Sequence, residues 1–211
     1  MARRTKEDAE ETRHKLLEAA QRVFAEKGVS STSLQDSAQA AGVTRGAIYW
    51  HFKNKAELFN AMMDSAVLPM EQAMQQIGHD AAQDPLTELE RALLQTMRSI
   101  ESDPRTRALF EVATLKVEYV GELLAVKQRH VTCYLDGTQQ MRRSLEEAAT
   151  RRLVILAIPA SVAAHGLHAL MVGLIHTWML EPKAFKLVEV AQAAIRTYLA
   201  GLGFTTGVSV G

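Results

Sequence analysis

Helix starts recur along this chain and strand signals do not, a contrast that limits the fold more than any other feature. There is no AsnGly or AspGly hairpin and no long alternating run of β-branched residues. Thr5 with Asp8 reads as a capping-box variant. It opens a helix whose apolar positions Leu16, Leu17, Ala20, Val23 and Phe24 share one face, with Gly28 as its stop. Ser33 with Asp36 repeats the start signal, and the short stripe Leu34, Ala38, Ala41 ends at Gly42. Thr44 then caps a helix reaching about His51, and Asn54 with Glu57 opens another through Leu58, Met62 and Ala66. Pro69 is expected to kink that helix, because it removes one backbone hydrogen bond and crowds the preceding turn.

Longer helices follow. Asp84-Pro85 and Asp103-Pro104 are cap-then-proline starts. A helical pattern from about Val120 to Arg152 is expected to turn Leu124, Val131, Leu135, Met141 and Leu145 inward. Two more are read over about Ala160–Leu180 and Leu187–Leu202, with Leu187, Ala191, Ala194, Ile195, Tyr198 and Leu202 along one side of the last. The state of 153–159, helix or loop, stays open. The fold class is therefore all-α. A head of three short helices is joined by a fourth helix to a helical body.

Charge narrows the function. The net charge is zero, yet residues 1–60 sum to +2 and residues 61–211 to −2. Within the head the acids gather early, whereas 37–55 carries only Arg45, Lys53 and Lys55. Such local positive charge suits phosphate binding without proving it, since a cluster of this size is more often solvated surface. Cys133 is the only cysteine, so no intrachain disulfide is possible, and a reducing compartment is expected. The opening residues have no apolar core of the kind a secretory signal needs. Leu153–Leu180 contains no Asp, Glu, Lys or Arg, but Pro159 and the histidines His165, His168 and His176 argue against a membrane span. A metal site on those histidines is disfavoured, since His165 and His176 stand roughly 16 Å apart along one helix. No cofactor is expected. No nucleophile elbow, phosphate loop or zinc-protease motif occurs, so no enzyme is expected.

The spacing from Ser33 to Phe52 fits a helix-turn-helix: two short helices crossing at Gly42, the second free to enter a major groove. Ile48 and Phe52 would face Leu17 and Phe24 of the chain's opening helix; Thr44, Arg45, Ala47, Tyr49, Trp50 and His51 would face outward. Trp50 reads equally as a packing aromatic. The stretch TSLQDSAQAAGVTRGAIYWHFKNKAEL closely resembles the DNA-binding signature of the TetR family of bacterial repressors, over about residues 10–65. RRTKEDAEETR and GAIYWHFKNK resemble the branch that represses multidrug efflux-pump operons, and DPRTR and GLIHTWMLEP continue the likeness more weakly.

The resemblance implies a cytoplasmic, ligand-released repressor that binds a palindromic operator in double-stranded DNA as a homodimer. Residues 1–55 would be the DNA-binding head (helix-turn-helix about 33–52), 56–80 the connecting helix, 81–205 the ligand-binding and dimerisation domain, and 206–211 a tail. Thr44 would cap the recognition helix and touch phosphate, and Arg45 would pair with a guanine edge. Gly46 would admit the DNA backbone, and Tyr49, His51 and Lys55 would hold phosphates. Trp50 is a further candidate, with Ser33 and Gln35 on the supporting helix. Arg3, Arg4 and Lys6 form a basic arm, either a groove contact or a loose tail. Dimerisation is expected through about 160–180 and 187–202 as a four-helix bundle. A small hydrophobic effector would lie among Leu93, Met97, Phe110, Thr114, Met141, His168, Met171, Val172, Ile175 and His176, where thioethers repack cheaply. The alternative within the same family is a regulator of lipid or amino-acid metabolism.

Overall fold

The computed structural model describes residues 6–78, 80 and 82–204, and all regular secondary structure among them is helical. In chain order the helices are α1 (Lys6–Lys27), α2 (Leu34–Ala40), α3 (Arg45–His51), α4 (Lys55–Gln75), α5 (Pro85–Ser102), α6 (Pro104–Leu115), α7 (Leu124–Arg152), α8 (Ala160–Leu180) and α9 (Leu187–Gly201). A 3-10 turn, Gly121–Leu123, precedes α7. The expected Thr5 cap, the basic residues Arg3 and Arg4, and the 206–211 tail lie outside the described residues.

Two compact units divide the chain: residues up to 67 with 105–131, and 68–104 with the chain from 132 onward. These boundaries differ from the expected head, connector and body, because α6 and the turn after it belong with the head. The reason lies in its core. Phe24, Ile48, Phe52 and Met62 are essentially sealed from solvent, and Leu109, Val112, Leu123 and Val126 join the same cluster. A head of about 60 residues buries too little surface to be more than marginal by itself. The later segment completes its core. The head's first helix, 22 residues long, is also not short as expected.

Local chemistry sets the head's elements. Ser33 and Asp36 form a full capping box at α2. Gly42 takes φ +68 between α2 and α3, a left-handed conformation that costs a residue with a Cβ roughly 1 kcal/mol or more.

In the second unit α9 packs on α5 and α8. Arg196 pairs with Glu90 at 2.8 Å, Glu101 accepts the Leu187 N–H at 2.6 Å, and the Tyr198 hydroxyl donates to Ala163 O at 2.9 Å. Arg152 grips Asp84, the N-cap of α5.

The expectation for α7 is corrected in part. Met141 and Leu145 are buried, but Leu124, Val131 and Leu135 are exposed, in the case of Leu124 by 57%. Those three form a consistent stripe of their own, about a quarter-turn from the buried one at 100° per residue. The buried stripe in the second unit includes Thr138 and Ser144, whose hydroxyls donate to carbonyls four residues back and so cost little inside. Apolarity alone pointed to the wrong side.

Residues 153–159 form a loop, not helix. Leu153 takes φ 53 and the Val154 N–H reaches Ala149 O at 2.9 Å, a left-handed helix stop usually given to glycine. No helix among the described residues is long and apolar enough to cross a membrane.

Candidate nucleic-acid interface and ligand core

The outward face of α3 is built from its cap. Thr44 Oγ1 accepts the Ala47 N–H at 3.2 Å, which fixes the first turn and leaves the hydroxyl proton free to donate to an external acceptor. Ser33 differs. Its hydroxyl accepts the Asp36 N–H and also donates to the Asp36 carboxylate, so both roles are filled inside the chain. The Ser33 hydroxyl and the Ser33 backbone N–H, both donating to it, hold the Asp36 carboxyl below the usual carboxylate range. Gln35 projects freely from α2.

Ile48 and Phe52 are buried beneath α3, and the other side is open. Arg45 and Gly46 are exposed; the Arg45 guanidinium lies 5.5 Å from the Tyr49 ring centre, one turn on. That cation–π contact holds a flexible side chain near one orientation before any ligand arrives. Trp50 is 73% exposed, which removes core packing as its role. Its ring stands perpendicular to that of His51, with centres 4.6 Å apart. His51 is half-buried by comparison.

Lys55 departs from expectation. It is buried, its Nζ donates to Ser30 O at 3.1 Å, and Glu122 stands 3.8 Å away. An ammonium so engaged is not an open phosphate contact. Sequence reasoning also passed over Arg13, whose guanidinium stands 5.4 Å from the Phe52 ring centre. Nothing in local spacing links Arg13 to Phe52 or Glu122 to Lys55, because both pairings are made by packing between distant segments.

The ten residues expected around an effector do not share one environment. Leu93, Met97, Met141 and Met171 are buried in the second unit. Ile175 and His168 are half-buried there, and the Tyr134 ring meets His168 edge-on at 4.8 Å. The Tyr134 hydroxyl also lies 2.8 Å from His165 Nδ1, a polar anchor that the sequence reading missed. Val172 and His176 occupy the opposite, exposed face of α8 with Val162 and Leu180. Phe110 and Thr114 lie on α6 in the first unit, with Phe110 packed against the head core. Among the described residues no group of three or more His, Cys, Asp or Glu is placed to hold a metal ion.

Residues 16–62 match the model of bacterial regulatory proteins, tetR family, and residues 84–204 match the C-terminal region of MAATS-type transcriptional repressors. The chain is 38% identical over 188 residues to the HTH-type transcriptional regulator TtgR of Pseudomonas putida, covering 89% of this chain and 90% of the relative. Among solved structures it resembles NalD, the secondary repressor of the MexAB-OprM multidrug efflux pump in Pseudomonas aeruginosa. The TM-score is 0.84 at 34% identity, covering 93% of this chain and 98% of that one. It also resembles SmeT in complex with triclosan, with TM-score 0.82, 29% identity and coverage of 93% and 96%; SmeT represses a Stenotrophomonas maltophilia multidrug efflux pump.

Proposed function

Because the chain belongs to the TetR family of bacterial regulatory proteins, we propose that it represses a multidrug efflux-pump operon in the cytoplasm and leaves its operator when a hydrophobic effector binds. The observation that carries this is the face of α3. A capped helix presents Thr44, Arg45, Tyr49 and Trp50 to solvent while Ile48 and Phe52 anchor it from behind. Arg45 reads a guanine edge, the Thr44 hydroxyl donates to a phosphate, and Tyr49, Trp50 and His51 line the flanking backbone. Gly46 lets the DNA backbone approach, and Gln35 adds a contact from α2. Ser33 acts through its cap.

Two heads are needed to read a palindrome about one DNA turn (~34 Å) apart. Support for a homodimer through α8 and α9 comes from the exposed stripe Val162, Val172 and Leu180, with Val190 on α9. Isolated aliphatic side chains on a surface are ordinary, but a stripe along one helix face favours an isologous contact. The effector core comprises Leu93, Met97, Met141, His168, Met171 and Ile175. The capture of triclosan by SmeT supports a phenolic, apolar molecule as the effector.

The test is a mobility-shift titration on the DNA upstream of the protein's own coding sequence and of neighbouring pump operons, with and without triclosan. A sequence-specific shift that triclosan or another apolar drug reverses is expected. Absence of any specific shift would remove the repressor function; a shift indifferent to every drug would remove the effector.

A further inference from the structure

The start of α4 follows the recognition helix directly, and it is already occupied by an anion from this chain. Glu122 Oε2 accepts the Lys55 backbone N–H at 3.2 Å, and its other oxygen lies 3.8 Å from Lys55 Nζ. Asn54 caps the same end by accepting the Glu57 N–H, and the Glu57 carboxylate in turn accepts the Lys53 N–H. The first amide of α4 therefore serves a carboxylate, while the Lys55 ammonium donates to Ser30 O at 3.1 Å and faces that carboxylate. A DNA phosphate lying along the end of α3 needs those same donors, a helix N-terminal amide and a lysine.

Glu122 is held in place. Leu123 and Val126, just beyond it, are sealed into the head core, and Gly121 at φ +54 makes the turn. Yet half of the Glu122 side chain faces solvent, so the carboxylate can swing away without opening the core. Resting on the DNA-binding function proposed above, we propose that Glu122 is an affinity-setting residue: its carboxylate occupies the phosphate position at the start of α4, and operator binding must displace it. The displaced state frees one amide and lets the Lys55 ammonium turn to phosphate. Weakened binding of this kind keeps a repressor releasable, since an operator held too tightly cannot be cleared by an effector of modest affinity.

The experiment is an anisotropy titration of the full-length protein on its upstream DNA across a salt series. It compares wild type, Glu122→Gln and Glu122→Ala, each also in a Lys55→Met background that keeps the buried stem. Removing the carboxylate is expected to tighten binding roughly three- to tenfold per head at 0.1–0.2 M salt with the salt slope unchanged, because wild type and variant make the same phosphate contacts once bound. The gain is expected to vanish with Lys55→Met. Glu122 variants that match wild type in affinity overturn the proposal, as does a gain that persists in Lys55→Met, which would be long-range charge alone. Weaker binding by Glu122→Gln at an unchanged melting temperature overturns it too. Glu122→Gln keeps an oxygen for the Lys55 N–H, so it decides the matter if the alanine variant is unstable. A wild type that binds no DNA specifically would instead sink the repressor function itself.

Discussion

The two units expose opposite kinds of surface on their signature helices. On α3 the outward side chains are a hydroxyl, a guanidinium and two aromatic rings with polar tips; on α8 they are chiefly Val162, Val172 and Leu180 with two histidines among them. The first set satisfies water and waits for an acceptor-rich partner. The second gains only when another apolar surface covers it. The same rule of burial therefore separates the face proposed for DNA from the face proposed for a second copy, without reference to position in the chain.

The largest test of that contrast is a charge on the aliphatic face. Val172→Asp is expected to convert the proposed dimer to monomer in light scattering and to lower operator affinity by at least about 100-fold, because one head alone keeps only half of the contacts. A dimer that survives this change would show that α8 is exposed for another reason. Arg45→Ala should cost about 1–3 kcal/mol of binding and relax one base position in a selection experiment. Its melting temperature should stay near wild type, since the guanidinium is exposed. Equal loss on every sequence would make Arg45 a phosphate contact instead.

How far the sequence spoke differs between the units for the same reason. Caps act over three or four residues, so Ser33–Asp36 and Thr44 were legible, and with them the outward set on α3. Gly42 was legible because only its backbone freedom is at issue, with no atom near the space a Cβ would take. The resting partners of Lys55 were not legible, because Ser30 and Glu122 come from other segments. In α8 the apolar residues surround the whole helix, so composition did not tell Met171, buried, from Val172, exposed. A helix apolar on every side has no stripe to read. The buried hydroxyls of Thr138 and Ser144 hid the inward face of α7 in the same way.

Acid should act on the body through Asp84. Hydrogen bonding to Arg152, helped by Thr87, lowers its carboxyl to about 2. A depressed carboxyl stabilises the fold above its ordinary value near 4 and loses that contribution as pH falls toward about 2. The pair is about a third exposed, so solvent screening leaves it worth about 1 kcal/mol. Asp84→Asn should therefore lower the neutral-pH melting temperature by a few degrees and flatten its decline between pH 4 and 2. An unchanged acid profile would mean that the Arg152 contact adds nothing.

The smallest effect separates folding from DNA reading within a single residue. Gly46 sits in the first turn of α3, and an added Cβ would meet only Thr44 Oγ1, at an ordinary 3.9 Å. Alanine suits a helix better than glycine by up to about 1 kcal/mol, less near an end, so Gly46→Ala should raise the melting temperature slightly. Nothing in the fold asks for glycine there. If the DNA backbone passes close to α3 at this point, the same variant must bind the operator more weakly while being more stable. Opposite signs in the two measurements would locate the DNA against the first turn of α3. Parallel gains would move it toward Tyr49 and Trp50, and leave Arg45 to reach it from a distance.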